Sequence, residues 1–180
     1  MTDAANPLLQ NWTAPYGLPP FDRVRPEHFQ PAFEAAMQAH RQELDAIAAS
    51  PAEPSFDNTI AAFDGSGRLF ERIASVFHSL TASETSAALQ AVQRTMAAPL
   101  AAHDNAVYMH GGLFARVDAL HARRDSLGLT DEQRRLLERV HLDFVRAGAR
   151  LPAAEQRRYA HVMEELAALT TDRKSTRLNS

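Results

Sequence analysis

Cysteine is absent from the 180 residues. Neither a disulfide framework nor a thiol nucleophile can therefore operate here, and the composition fits a reducing compartment. Glycine is scarce, with 7 residues, and neither Gly-x-Gly-x-x-Gly nor Gly-x-x-x-x-Gly-Lys occurs. Gly65-Ser66-Gly67 is too short and too embedded in a helical pattern to cradle a phosphate. No run approaches the roughly 18 apolar residues that a membrane span needs. The opening MTDAANPLLQNW lacks a basic stretch followed by an apolar one, so no secretory signal is read there and the cytoplasm is the expected compartment. The formal net charge is −3, and the cations form no stripe. Nucleic acid and membrane are not expected partners. Strand-like alternation and internal repeats are also missing.

What remains is a helical pattern behind an apolar arm. Hydrophobic residues make up 45% of the chain, ordinary for a folded protein and enough for a sizeable core at this length. Residues 1–25 hold Pro7, Pro15, Pro19 and Pro20, too dense for a helix. Leu8, Leu9, Trp12, Tyr16, Leu18 and Phe21 are interleaved with them. A solvated linker would not need these groups. The arm is expected to lie along a helical body, and in the complete protein Trp12, Tyr16 and Phe21 are expected to bury much of their rings.

Pro26 opens a first helix, at a position whose missing N–H costs nothing. Phe29, Phe33, Met37, His40, Leu44 and Ile47 share one face. Residues 50–54 end it. Ser55 reads as the N-cap of a second helix with Asp57 in its first turn. The stripe of that helix is Ile60, Phe63, Gly67, Phe70, Ile73 or Ala74, Phe77 and Leu80, and Gly65 and Gly67 mark a close approach or a break. A third helix is predicted over 84–109, kinked at Pro99, with Leu89, Val92, Met96, Leu100, His103 and Val107 on one side. Gly111-Gly112 is read as breaking the pattern before a shorter helix over 113–126. Thr130 with Gln133 forms a capping box for a fifth helix, and Pro152 starts a sixth running to 169. Its stripe is Tyr159, Val162, Met163, Leu166 and Leu169, and an exposed apolar patch is expected there. The fold class is all-α: an antiparallel helical segment behind an extended proline-rich arm.

Eight histidines raise the question of metal chemistry. Two zinc ligands share a helix face when histidines stand at i and i+4. His28, His40, His78, His103, His110, His121, His141 and His161 contain no such pair, and none is followed by glutamate. His40 and His103 are read as partly buried helix packers. Arg123-Arg124-Asp125 and Arg134-Arg135 are read as solvated faces. No catalytic, cofactor-binding or metal-ligating residue is assigned in this chain.

The last nine residues, DRKSTRLNS at 172–180, match the translation of a common sequencing-adapter read. They are expected to be non-native and to contribute nothing to folding. They carry Arg173, Lys174 and Arg177 against Asp172, which leaves the preceding residues near −5.

The order of short stretches goes further. Asn6-Pro7-Leu8-Leu9, Pro20-Phe21-Asp22 and Pro26-Glu27-His28-Phe29-Gln30-Pro31-Ala32-Phe33 are followed by Pro54-Ser55-Phe56-Asp57-Asn58-Thr59-Ile60, Ser66-Gly67 and Ser75-Val76-Phe77. Leu113-Phe114-Ala115-Arg116-Val117-Asp118-Ala119, Arg124-Asp125-Ser126-Leu127-Gly128-Leu129 and Phe144-Val145-Arg146-Ala147-Gly148-Ala149 complete the series. Together, across about 6–171, they resemble the N-terminal region of thimet-oligopeptidase-type zinc metallopeptidases. The later stretches favour the peptidyl-dipeptidase branch over the oligopeptidase A branch.

The resemblance implies an almost wholly helical enzyme in which residues 26–171 form part of the wall of a deep channel admitting short peptides. It implies zinc held by two histidines of His-Glu-x-x-His and a downstream glutamate, with the motif's own glutamate activating the zinc-bound water. None of those residues is in this chain. The expected function is thus a non-catalytic part of a peptidyl-dipeptidase, inactive alone and binding no cofactor itself. An oligopeptidase A-type endopeptidase segment and a stand-alone helical binding module are the alternatives.

Overall fold

A computed structural model describes the backbone of residues 6–84 and 86–178, and side chains through residue 171. All regular structure among the described residues is helical, in agreement with the all-α expectation. No helix of these residues is long and apolar enough to cross a membrane.

Pro26–His28 forms a 3-10 turn that leads into α1, Phe29–Ala48. Its inward face carries Phe29, Phe33, Met37 and Leu44, with Ala32 and Ala36 between them. Ser55 caps the next element as expected. Its hydroxyl accepts the Asn58 N–H at 3.2 Å, and the Asn58 side chain accepts the Ser55 N–H at 2.9 Å. The chain then makes a π-helical turn, Phe56–Ala61, continued by the short α2, Ala62–Asp64.

The stripe predicted for a single second helix is interrupted here, and α3 runs over Arg68–Ser83. Gly67 sits at φ 69°, in the left-handed region. A Cβ there would stand 2.9 Å from the His40 ring. Both readings of this glycine therefore hold: it is a break and also a close approach.

Helix α4, Ala87–Tyr108, is capped by Ser86, whose hydroxyl accepts the Leu89 N–H at 3.2 Å. Pro99 lies inside it without ending it. Gly111 and Gly112 do not break the next helix but form its first turn: α5 runs over Gly111–Ala122. The N-cap is His110. Its Nδ1 accepts the Leu113 N–H at 3.1 Å, while its Nε2 meets Asp45 Oδ1 at 3.0 Å. A Cβ on Gly112 would stand 3.2 Å from Ala48 Cβ, so the glycine lets α5 start hard against the end of α1. The expected capping box of Thr130 and Gln133 opens α6, Asp131–Arg146. Gly148, at φ 91°, turns the chain toward α7, Ala153–Leu178.

Two apolar clusters result. One joins Leu8 of the arm to the first half of α1, to α3 and to the first half of α4. The other joins the end of α1, the π turn, the end of α4, α5 and α6. Helix α7 lies along α4, yet none of residues 153–171 is buried.

The arm is fastened mainly through its backbone. Asn6 Nδ2 donates to His28 O at 2.7 Å, and Leu8, fully buried, donates its N–H to Asn6 Oδ1 at 3.0 Å. Arg72 donates to the carbonyls of Leu8 and Gln10 at 3.0 and 3.2 Å. Its guanidinium lies 4.4 Å over the Trp12 ring, a cation–π contact. Of the three rings expected to be buried in the complete protein, Trp12 packs on the core of this chain. Tyr16 is fully exposed and Phe21 half exposed. Tyr16 and Gly17 both adopt left-handed φ, 61° and 66°, and that turn carries the Tyr16 ring away from the helices.

The connection between α1 and the π turn is gathered by one buried cation. Arg116 of α5 donates to Ser50 O at 3.0 Å and Ala52 O at 3.1 Å. It also donates to Asn58 Oδ1 at 2.9 Å and Thr59 Oγ1 at 3.3 Å. Removing it would strip Ser50 O, Ala52 O and Thr59 Oγ1 of its N–H groups and leave Asn58 Oδ1 with only the Ser55 N–H and the Thr59 hydroxyl, at a partly buried place. Arg116→Met should lower unfolding free energy by about 2–4 kcal/mol, read from urea midpoints at constant slope. A loss under about 0.5 kcal/mol, the range of ordinary surface changes, would show that the loop holds itself.

Candidate functional site

Seven of the eight histidines, the natural places to seek chemistry, fall into distinct settings. His28 accepts the Arg25 N–H through Nδ1 at 3.1 Å. His110 caps α5, and His161 pairs with Glu165 one turn along α7 at 3.4 Å. His121 and His141 stack with centroids 3.7 Å apart and planes 2° from parallel. His141 Nε2 meets Asp118 Oδ1 at 2.9 Å, and Arg150 donates to the same oxygen at 2.9 Å. Those two hydrogen bonds, His141 first, hold the Asp118 carboxyl below the usual carboxylate range.

The remaining cluster sits where the two apolar cores meet. His40 of α1 and His103 of α4, 63 residues apart in sequence, face each other with Nδ1 to Nε2 at 3.0 Å. His40 Nε2 lies 3.2 Å from Ser66 Oγ, and Ser66 Oγ lies 2.7 Å from Phe63 O. A carbonyl only accepts, so the Ser66 hydroxyl donates to Phe63. Ser66 then accepts from His40 Nε2–H, which leaves His40 Nδ1 to accept from His103 Nε2–H. The network therefore fixes the His40 ring as neutral, and burial favours the neutral form of His103. It ends at His103 Nδ1, a buried nitrogen with no partner among the described residues. Gly67 closes the cluster from the side, its N–H donating to Glu43 Oε2 at 2.7 Å. A cleft of about 270 Å³ opens beside it, lined by Phe63, Phe70, Asp104 and Tyr108 among others.

This arrangement is poorly suited to nucleophilic catalysis. Activating a serine requires the histidine to take its proton, whereas the Ser66 proton points away from His40. It is equally unsuited to zinc. Two imidazoles on one tetrahedral zinc, each bonded at about 2.0–2.1 Å, hold their nitrogens about 3.4 Å apart and aimed at the ion. Here the nitrogens aim at each other with a proton between them. The stacked His121 and His141 fail for another reason: their in-plane lone pairs lie in two parallel planes and cannot converge on one ion. Among the described residues, no group of three or more His, Cys, Asp or Glu is placed to hold a metal.

His40 and His103 are thus packing residues, as read from their helical positions. Their pairing was not legible, because nothing local links positions so far apart. The one available signal was Gly67, a costly residue standing on a helical stripe.

Burial first, then the neighbouring His40 and Arg41, push the His103 pKa down to about 4. Burial lowers that of His40 as well. A base whose folded pKa is depressed binds protons less readily in the folded than in the unfolded chain. Stability should therefore fall as pH drops from the unfolded value near 6.5 toward 4. The urea midpoint should decline between pH 7.5 and pH 5, and His103→Gln should decline less steeply. Equal slopes in both proteins would remove this pair from the acid sensitivity.

The geometry thus places both polar clusters within a helical packing unit. No family model matches the chain. It is 45% identical over 166 residues to dipeptidyl carboxypeptidase of Escherichia coli K12, and 42% identical over the same length to the protein of that name from Salmonella typhimurium. It is 26% identical over 167 residues to oligopeptidase A of Haemophilus influenzae. The first two matches take in 92% of this chain, but only 24% of each relative. The chain thus spans about a quarter of the length of the curated relatives it matches.

Proposed function

We propose that this chain is the N-terminal, non-catalytic part of a cytoplasmic zinc metallopeptidase that releases dipeptides from the C-termini of short peptides. Residues 26–171 form part of the wall of its peptide channel, and the arm of residues 1–25 braces that wall. The zinc and its ligands belong to the longer remainder, and residues 172–180 are not native. The observation that carries this reading is the 45% identity over 92% of the chain to a dipeptidyl carboxypeptidase. The weaker likeness to oligopeptidase A, 26%, supports endopeptidase cleavage as the second reading.

The test begins with the source DNA. The frame should continue past the codon for Thr171 with residues other than DRKSTRLNS and go on to encode His-Glu-x-x-His. The full-length protein should release C-terminal dipeptides from short peptides in a chelator-sensitive manner, and the 180-residue chain alone should release none. A stop codon after Thr171 would sink the peptidase reading in favour of a stand-alone module. Internal cleavage without dipeptide release would move the protein to the endopeptidase branch.

A further inference from the structure

Helix α7 carries a row of large apolar side chains that the described residues leave exposed. Val162 is 52% exposed, Met163 36%, Leu166 49% and Leu169 69%. They lie to one side of the face that meets α4. That contact is made by small and polar groups such as Ala153, Gln156 and Ala160, with Asn105 Nδ2 donating to Ala160 O at 3.3 Å. Most helical stability in proteins comes from burying an apolar face, and here the larger part of that face looks outward. A contiguous apolar row of this kind marks an interaction surface. The His161–Glu165 pair, both half exposed or more, runs beside it, an apolar strip with a polar border.

We infer that the Val162–Met163–Leu166–Leu169 face is the docking seam for the remainder of the same polypeptide, and that an apolar surface of that remainder occupies it. The inference rests on the reading above of the chain as part of a longer peptidase. The occupant is argued from length. About three-quarters of each dipeptidyl carboxypeptidase relative lies outside the stretch this chain matches. A covalently linked partner meets the face at a high effective concentration, an advantage a second copy does not have.

Peroxide oxidation of Met163, followed by mass spectrometry, reads the seam without altering it. Met163 should oxidise at least about tenfold more slowly in the full-length protein than in the 180-residue chain. Val162→Glu, harmless on an exposed face but costly in an apolar seam, should leave the melting midpoint of the short chain unchanged and lower that of the full-length protein by several degrees. Equal oxidation in both proteins, with Val162→Glu neutral in both, would overturn the seam. Protection that grows with the concentration of the short chain and is missing from the full-length protein would overturn it in favour of a second copy. A source frame that stops after Thr171 overturns seam and peptidase reading together. A full-length protein that releases dipeptides while Met163 stays reactive overturns the seam alone.

Discussion

A buried guanidinium cannot be left half satisfied, and the loop between α1 and the π turn is built around that constraint. Arg116 gives up hydration and recovers it from Ser50 O, Ala52 O, Asn58 Oδ1 and Thr59 Oγ1. No carboxylate takes part, so the loop supplies dipoles in place of a counter-charge. Asn58 is central. The same oxygen that accepts from Arg116 accepts from the Ser55 N–H and the Thr59 hydroxyl, while its amide donates to Glu53 O at 2.9 Å. The N-cap of one element and the interior of another are thereby set by a single side chain. Leu44, Ile60 and Leu113 of the second core pack beside this polar knot.

The seam between the two cores obeys a second constraint, of space. Gly67 gives up a side chain so that the His40 ring can lie against its backbone, and the ring then bridges α1, α4 and the turn before α3. The cost falls on the protonated forms of both histidines, so the junction should be sturdy near neutrality and weak in mild acid. Neither cluster aims a lone pair at a shared ion or a base at a serine proton. The polar groups of these two clusters pack α1 against α4 and α5 against α6.

Much of this was legible in the sequence because its signals are local. The stripe from Phe29 to Leu44, the Ser55 cap and the Thr130–Gln133 box follow from helix periodicity and capping chemistry, and all appear in the structure. The misreadings have a common origin in tertiary context. Gly111-Gly112 reads as a breaker on propensity, but His110 caps the helix ahead of it and close packing on Ala48 favours the missing Cβ. The pattern over 55–80 looks like one helix until the left-handed Gly67 divides it. The Arg116 and His40–His103 networks join residues more than fifty positions apart, beyond the reach of any periodicity. The order of short stretches pointed to the peptidase resemblance because it draws on the whole chain, and two of those stretches, Pro54–Ile60 and Leu113–Ala119, meet at Arg116.

That meeting is the central claim: α5 and the α1–π connection are one energetic unit, held through Asn58. A double-mutant cycle on the 180-residue chain measures it, with Arg116→Met, Asn58→Ala and the double variant compared by urea unfolding. The two losses should overlap, giving a coupling of about 1 kcal/mol or more between residues sharing one network. Losses that add within about 0.3 kcal/mol would mean that Arg116 and Asn58 act independently, and the knot would not be what holds this segment in shape.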